Sequence, residues 1–156
     1  MIKELININT PITFEHLLTH TSGLTYGFHR SNQAILRGNT EVDNIYREKE
    51  ILKKIRNSSF TSSDFINELT SLPLAYQPGT RWNYGLSSDL LGVLLELICK
   101  QSLDEICKNE LFIPLEMNDT YFPSINLKNI IPTFKLSLPS GFKLINETDQ
   151  IKREHK

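Results

Sequence analysis

From Ser87 to Cys99 the chain is apolar almost all the way round a helix: Leu90, Leu91, Val93, Leu94, Leu95, Leu97 and Ile98 interrupt only for Asp89, Gly92 and Glu96. A helix of that kind is buried on most of its sides. The rest of the chain must therefore be wrapped around it. With 156 residues there is room for one domain with a real core. A hydrophobic content of 39% and a charged content of 22% are slightly lean but globular. The net charge of −1 offers no basic field for nucleic acid and no acidic one for cations.

Helical signals fill most of the remaining chain. Thr13 can cap a short helix with Glu15 in its first turn, Phe14, Leu17 and Leu18 on its apolar stripe, and Gly23 as its stop. Residues 25–45 have no clear period and read as a loop. Arg47 to Arg56 reads as a solvated surface helix, supported by Glu50 and Lys54 at i,i+4. Thr61-Ser62-Ser63-Asp64 is a capping-box pattern ahead of Phe65, Ile66, Leu69 and Leu72, and that helix ends near Pro73. Pro78-Gly79 marks a turn. Ser102-Leu103-Asp104-Glu105 opens a further helix through about Leu111, stopped by Pro114.

The final forty residues carry Pro123, Pro132 and Pro139 between short apolar runs, compatible with strands or with irregular chain. No internal repeat and no linker divides the sequence. It reads as one mostly α domain over 1–156, with an information-rich core at about 11–122 and an irregular tail at 123–156. No apolar run approaches the ~20 residues that span a bilayer. Met1-Ile2-Lys3-Glu4 is followed by no signal-peptide h-region. Cys99 and Cys107 are too few for a disulfide framework and read as free thiols.

Three phrases carry more than secondary structure. They are Ile12-Thr13-Phe14-Glu15-His16-Leu17-Leu18-Thr19-His20-Thr21-Ser22-Gly23-Leu24, then Pro78-Gly79-Thr80-Arg81-Trp82-Asn83-Tyr84-Gly85 running on to Asp89-Leu90-Leu91-Gly92, then Phe112-Ile113-Pro114-Leu115-Glu116-Met117-Asn118-Asp119-Thr120-Tyr121-Phe122. In this order and spacing they resemble serine hydrolases of the β-lactamase and penicillin-binding superfamily. Glu116 stands where the family tends to have Gly. The resemblance implies the helical lobe of an α/β fold of the β-lactamase/transpeptidase kind, with the flanking sheet largely absent from these residues. It also implies acyl-enzyme chemistry on an ester or amide substrate, with no cofactor and no metal.

On this resemblance Tyr84 matches the tyrosine that opens the family's second catalytic motif. The chemistry suits a phenol: its reference pKa is near 10, and beside an ammonium it ionises more easily and can take the proton of a serine hydroxyl. The serine then attacks a carbonyl. Trp82 is expected to pack under Tyr84, and Tyr26, Trp82 and Leu86 to line the substrate pocket. β-Lactamases tend to place Asn two residues after the tyrosine; Leu86 cannot offer an amide. Esterases of the same fold often have an apolar residue there, and Leu24-Thr25-Tyr26-Gly27-Phe28 also looks like that branch, so the resemblance leans to a carboxylesterase.

The family's nucleophile lies in Ser-x-x-Lys some tens of residues before the first phrase, and its third motif, Lys or His followed by Gly, well after Met117. Neither is found at its place here. The expectation is therefore a fragment of a hydrolase, inactive by itself. The rivals are a non-catalytic binding module of hydrolase descent and one half of a split hydrolase. A nearly all-apolar helix without its full cover also implies self-association of the chain.

Three decoys are set aside. Ser140-Gly141-Phe142-Lys143 has the Ser-x-x-Lys spacing but lies C-terminal to Tyr84, and Pro139 and Gly141 disfavour the required helix. His16 and His20 have the spacing of a helical zinc pair, without the glutamate or third ligand of a metalloprotease. Ser22 lacks the preceding Gly of a nucleophile elbow and reads as a turn residue.

Overall fold

A computed structural model describes residues 5–27, 40–55, 57, 59–122, 133–137 and 141–145. They form six helices and one hairpin: α1 (Phe14–Leu18), α2 (Glu41–Glu48), α3 (Ile51–Lys54), α4 (Ser62–Thr70), α5 (Ser87–Cys99), α6 (Leu103–Cys107), β1 (Thr133–Ser137) and β2 (Gly141–Ile145). The described chain is mostly α, as read from the sequence. Among the described residues no helix is long and apolar enough to cross a membrane.

Helix α1 is capped as expected by Thr13, whose hydroxyl accepts from the His16 amide at 3.3 Å. The reciprocal partner is a histidine: His16 Nδ1 accepts from the Thr13 amide. The helix stops earlier than expected. His20 already takes the left-handed conformation (φ 53°), three residues before Gly23, which is itself at φ 85°, and the Thr21 amide closes the turn onto the His16 carbonyl at 2.8 Å. Gly23 also serves close approach, since a Cβ there would lie 2.2 Å from the Tyr76 carbonyl oxygen.

The stretch from 40 to 55 departs from the sequence reading. A helix starts inside the segment read as loop, because Thr40 and Asp43 make a capping box. The charged helix expected from Arg47 to Arg56 is broken at Glu50, which is left-handed (φ 52°). The physical reason is burial: Tyr46 and Ile51, on either side of the break, are both inside the core. Glu50 then pairs with Lys53 at 3.0 Å rather than with Lys54, and Lys54 reaches Glu68 on α4 at 2.8 Å.

Helix α4 has the expected box between Thr61 and Asp64 and buries Phe65 and Leu69, with Leu72 just beyond its end. Helix α6 has the Ser102–Glu105 box and continues through one wide π turn, Lys108–Phe112. The tail contributes the hairpin, antiparallel in register from Thr133↔Ile145 to Ser137↔Gly141.

Helix α5 corrects the opening expectation. Of its residues only Ser87 is fully buried. Leu90, Leu91, Val93 and Leu94 pack against the core of Leu17, Leu24, Tyr46, Ile51, Phe65, Leu69, Leu72 and Leu86. Leu97 and Ile98 are 51% and 62% exposed. Helices α1 and α6 are the elements that contact α5 most, and among the described residues nothing covers its far side.

Candidate active site

The first two sequence phrases meet in space because their backbones are laced together. The amides of Ala75, Gly79 and Asn83 donate to the carbonyls of Gly23, Thr21 and His20, each at 2.8 Å. The buried Asn83 side chain adds a bond to the Leu24 carbonyl at 2.9 Å. Gly85 makes the approach possible: a Cβ there would fall 2.3 Å from the Leu24 oxygen. Ser22 and Ser87, both buried, share a hydroxyl contact of 2.8 Å that ties the start of α5 to the turn after α1.

This lacing presents Tyr84 at the surface, 41% exposed, in a cluster of rings. Its ring centroid lies 5.0 Å from His20, 5.3 Å from Tyr26 and 6.5 Å from Trp82. Trp82 is stacked beside Tyr84 rather than beneath it, and is 60% exposed. The Tyr26 hydroxyl donates to Asp89 Oδ2 at 2.8 Å. Burial first, then the bond to Asp89 and its charge, then the neighbouring Tyr84, push the Tyr26 phenol far above the ordinary range. Tyr26 is thus a fixed, protonated donor. On the other side of Tyr84, His20 Nε2 lies 3.5 Å from the Ser88 hydroxyl.

Of the residues expected at the site, Tyr84, Tyr26 and Trp82 come together. Leu86 does not: its side chain is 0% exposed and belongs to the core, because the step from Tyr84 to Leu86 turns inward at Gly85. Sequence reasoning missed Asp89 and His20 as neighbours of the tyrosine. The available signals were a carboxylate in the first turn of an otherwise apolar helix, five residues after Tyr84, and a histidine immediately ahead of Thr21-Ser22-Gly23.

The decoys resolve locally. His16 and His20 share no helix face, since α1 ends at Leu18 and His16 Nδ1 is engaged by the cap. No group of three His, Cys, Asp or Glu side chains suited to a metal occurs among the described residues. Ser22 is buried. Ser140 lies outside the described residues, and Lys143 is on β2.

Behind Tyr26 opens a cavity of about 510 Å³ between α4, α5 and α6. Its walls include Phe60, Phe65, Val93 and Leu103, with Tyr26 and Asp89 at the end nearest Tyr84. That volume lies in the range of small-molecule sites. The cluster therefore combines a half-exposed phenol, rings that pack on it, and a recess of mixed polar and apolar lining alongside.

A family model described as Beta-lactamase matches residues 6–126. The chain is similar to a lovastatin esterase of Penicillium rubens, 30% identical over 120 residues, covering 77% of this chain and 26% of that protein. It is also similar to Esterase EstB of Burkholderia gladioli, 34% identical over 113 residues, covering 72% and 26%. The solved structure of EstCE1, a hydrolase with promiscuous acyltransferase activity, superposes with a TM-score of 0.68 at 25% identity, covering 89% of this chain and 34% of that one. The chain spans about a quarter of the length of the two curated relatives.

Proposed function

The chain belongs to the Beta-lactamase family of serine hydrolases, and from that premise we propose that it is the tyrosine-bearing helical part of a longer esterase or acyltransferase. The observation that carries this reading is Tyr84, half exposed and held between His20, Tyr26 and Trp82. In the proposed reaction a serine hydroxyl and a lysine ammonium are supplied by polypeptide outside these 156 residues; Tyr84 enters as the phenolate, held so by the ammonium, and takes the serine proton. The serine oxygen attacks the ester carbonyl. The alkoxide leaving group departs with the proton returned from Tyr84, leaving an acyl-serine. Water, or a second alcohol in acyl transfer, then attacks the acyl-serine and releases it by the same proton path.

Two features favour an ester over a β-lactam. Position 86 is a buried leucine with no amide to offer a substrate. The cavity beside Tyr26 has one apolar side, made by Phe60, Phe65, Val93 and Leu103, that suits an acyl chain, with Ser62, Asp89 and Glu96 on its polar side. The two curated relatives are named as esterases, and the solved structure as a hydrolase with acyltransferase activity.

The test is to expose the 156-residue chain to nitrophenyl butyrate and to a serine-directed fluorophosphonate. The expected result is no turnover above background and no label. Both should appear when a segment carrying Ser-x-x-Lys is supplied. Covalent labelling of the chain alone, at any serine, would overturn the assignment of the nucleophile to other polypeptide.

A further inference from the structure

Tyr84 has two side-chain torsions and is 41% exposed, so something must hold its hydroxyl where a general base is needed. A base acts only within hydrogen-bond reach of the proton it takes. On the side of Tyr26 the support is itself anchored. Tyr26 packs on Tyr84 with centroids 5.3 Å apart, and its hydroxyl is fixed by Asp89 across 63 residues of chain. Asp89 in turn sits in the first turn of α5, where the helix dipole favours a carboxylate. The start of α5 is pinned by the buried Ser22–Ser87 contact.

We propose that Asp89, acting through Tyr26, is the positioning residue for Tyr84: the carboxylate holds the Tyr26 phenol, and the Tyr26 ring holds Tyr84. This rests on reading Tyr84 as the base. Asp89 carries no proton of the reaction itself and acts on Tyr84 through Tyr26, although it also stands in the wall of the cavity beside Tyr26. The titratable groups facing this cluster are His20 on the opposite side of Tyr84, the two phenols, and Glu96 further along α5. Glu96 is occupied by the Ser62 hydroxyl and the Leu103 amide. Arg81, on the Tyr84 loop, lies over the Tyr76 ring instead. Asp89 is therefore the group whose charge reaches Tyr84 by way of Tyr26.

The experiment labels the five tyrosines of the 156-residue chain with ¹³C at Cζ, assigns Tyr26 and Tyr84 by Tyr26→Phe and Tyr84→Phe, and follows both signals through an acid titration. The expected result is one shared midpoint for Tyr26 and Tyr84. Asp89→Asn keeps an acceptor for the Tyr26 hydroxyl, so the Tyr84 signal should keep its position and lose the pH step it shares with Tyr26. Tyr26→Phe should likewise remove the step from Tyr84. Asp89→Ala should move and broaden the Tyr84 signal while far-UV circular dichroism shows the helices intact. In the complete enzyme, Asp89→Ala should lower kcat by roughly 10- to 100-fold with little change in KM, and Asp89→Asn should restore most of it.

A Tyr84 signal that keeps in Asp89→Asn the step it shares with Tyr26, as distinct from any step that His20→Gln removes, or that is unmoved by Asp89→Ala, overturns the proposal. The two readings fail separately. If Tyr84→Phe leaves the enzyme's rate unchanged, the base assignment falls whatever the titration shows. If Tyr84→Phe abolishes the rate but the Tyr84 signal ignores Asp89, only the positioning role falls.

Discussion

The hydroxyls of Ser22 and Ser87 meet at 2.8 Å with both residues completely buried. Each is the other's partner, and Ser22 Oγ also accepts from the Leu24 amide. Removing the Ser22 hydroxyl takes a partner from both Ser87 and the Leu24 amide, and removing the Ser87 hydroxyl leaves Ser22 only its Leu24 bond; the loss of a buried partner costs about 1–3 kcal/mol. Ser22→Ala and Ser87→Ala should each lower stability by that amount in urea unfolding. The double variant should lose clearly less than the sum. Additive losses would mean the contact is not an energetic pair.

Gly85 and Gly92 should behave oppositely. A Cβ at position 85 would lie 2.3 Å from the Leu24 oxygen and 2.7 Å from the Thr25 Cα, both backbone atoms. Gly85→Ala should therefore cost about 3 kcal/mol or more and displace Tyr84. At Gly92 the Cβ would meet only the flexible Leu103 Cδ2, at 3.2 Å. Gly92→Ala, in a helix interior, should be neutral or stabilising by up to about 1 kcal/mol. Thermal melts of the two variants check the contrast.

The cap of α4 predicts a pH effect. The Thr61 hydroxyl, then the Thr61 amide, hold the Asp64 carboxyl below the usual carboxylate range. The folded value is thus lower than the unfolded one. Its contribution is present above the unfolded value, near 4, and is lost as pH falls through the folded value. Asp64→Asn should therefore flatten the fall in melting temperature on acidification below about pH 4. Thr61→Ala should cost about 1 kcal/mol at neutral pH. A wild-type and Asp64→Asn pair with identical acid profiles would contradict this.

The uncovered side of α5 predicts association. Leu97 and Ile98 are half or more exposed at the end of α5, and exposed apolar surface of this kind drives contacts between molecules. Sedimentation velocity should show concentration-dependent association of the chain. Leu97→Glu with Ile98→Glu should shift it towards monomer. A wild-type chain that stays monomeric at all concentrations would count against this surface.

Helix existence was legible in the sequence wherever capping chemistry was local. Thr61 with Asp64, and Ser102 with Glu105, announced α4 and α6. Thr40 with Asp43 made the same announcement and was passed over, because the surrounding residues show no apolar period. The break at Glu50 was not legible. It is set by the need to bury Tyr46 and Ile51 together, which is a tertiary requirement. The stop at His20 was hidden for a related reason: His20 is left-handed where its carbonyl accepts from the Asn83 amide of the Tyr84 loop, a contact between residues far apart in the sequence. Motif order singled out Tyr84, Tyr26 and Trp82, which lie together in one ring cluster. The Tyr26–Asp89 bond joins residues 63 apart, and no local pattern encodes such a pairing. The placing of Leu86 in the core follows from the inward step at Gly85, which only the backbone path reveals.

The central claim is that Tyr84 is a proton-transfer group, and one measurement tests it most directly. The complete hydrolase should be assayed on nitrophenyl butyrate as wild type and as Tyr84→Phe, with circular dichroism verifying the fold of both. Phenylalanine keeps the ring contacts to His20, Tyr26 and Trp82 and removes only the hydroxyl. The account predicts a loss in kcat of about 10²–10⁴-fold, the worth of a positioned acid–base group, with both proteins equally folded. A rate unchanged by the substitution would contradict it and leave Tyr84 a packing residue of the ring cluster.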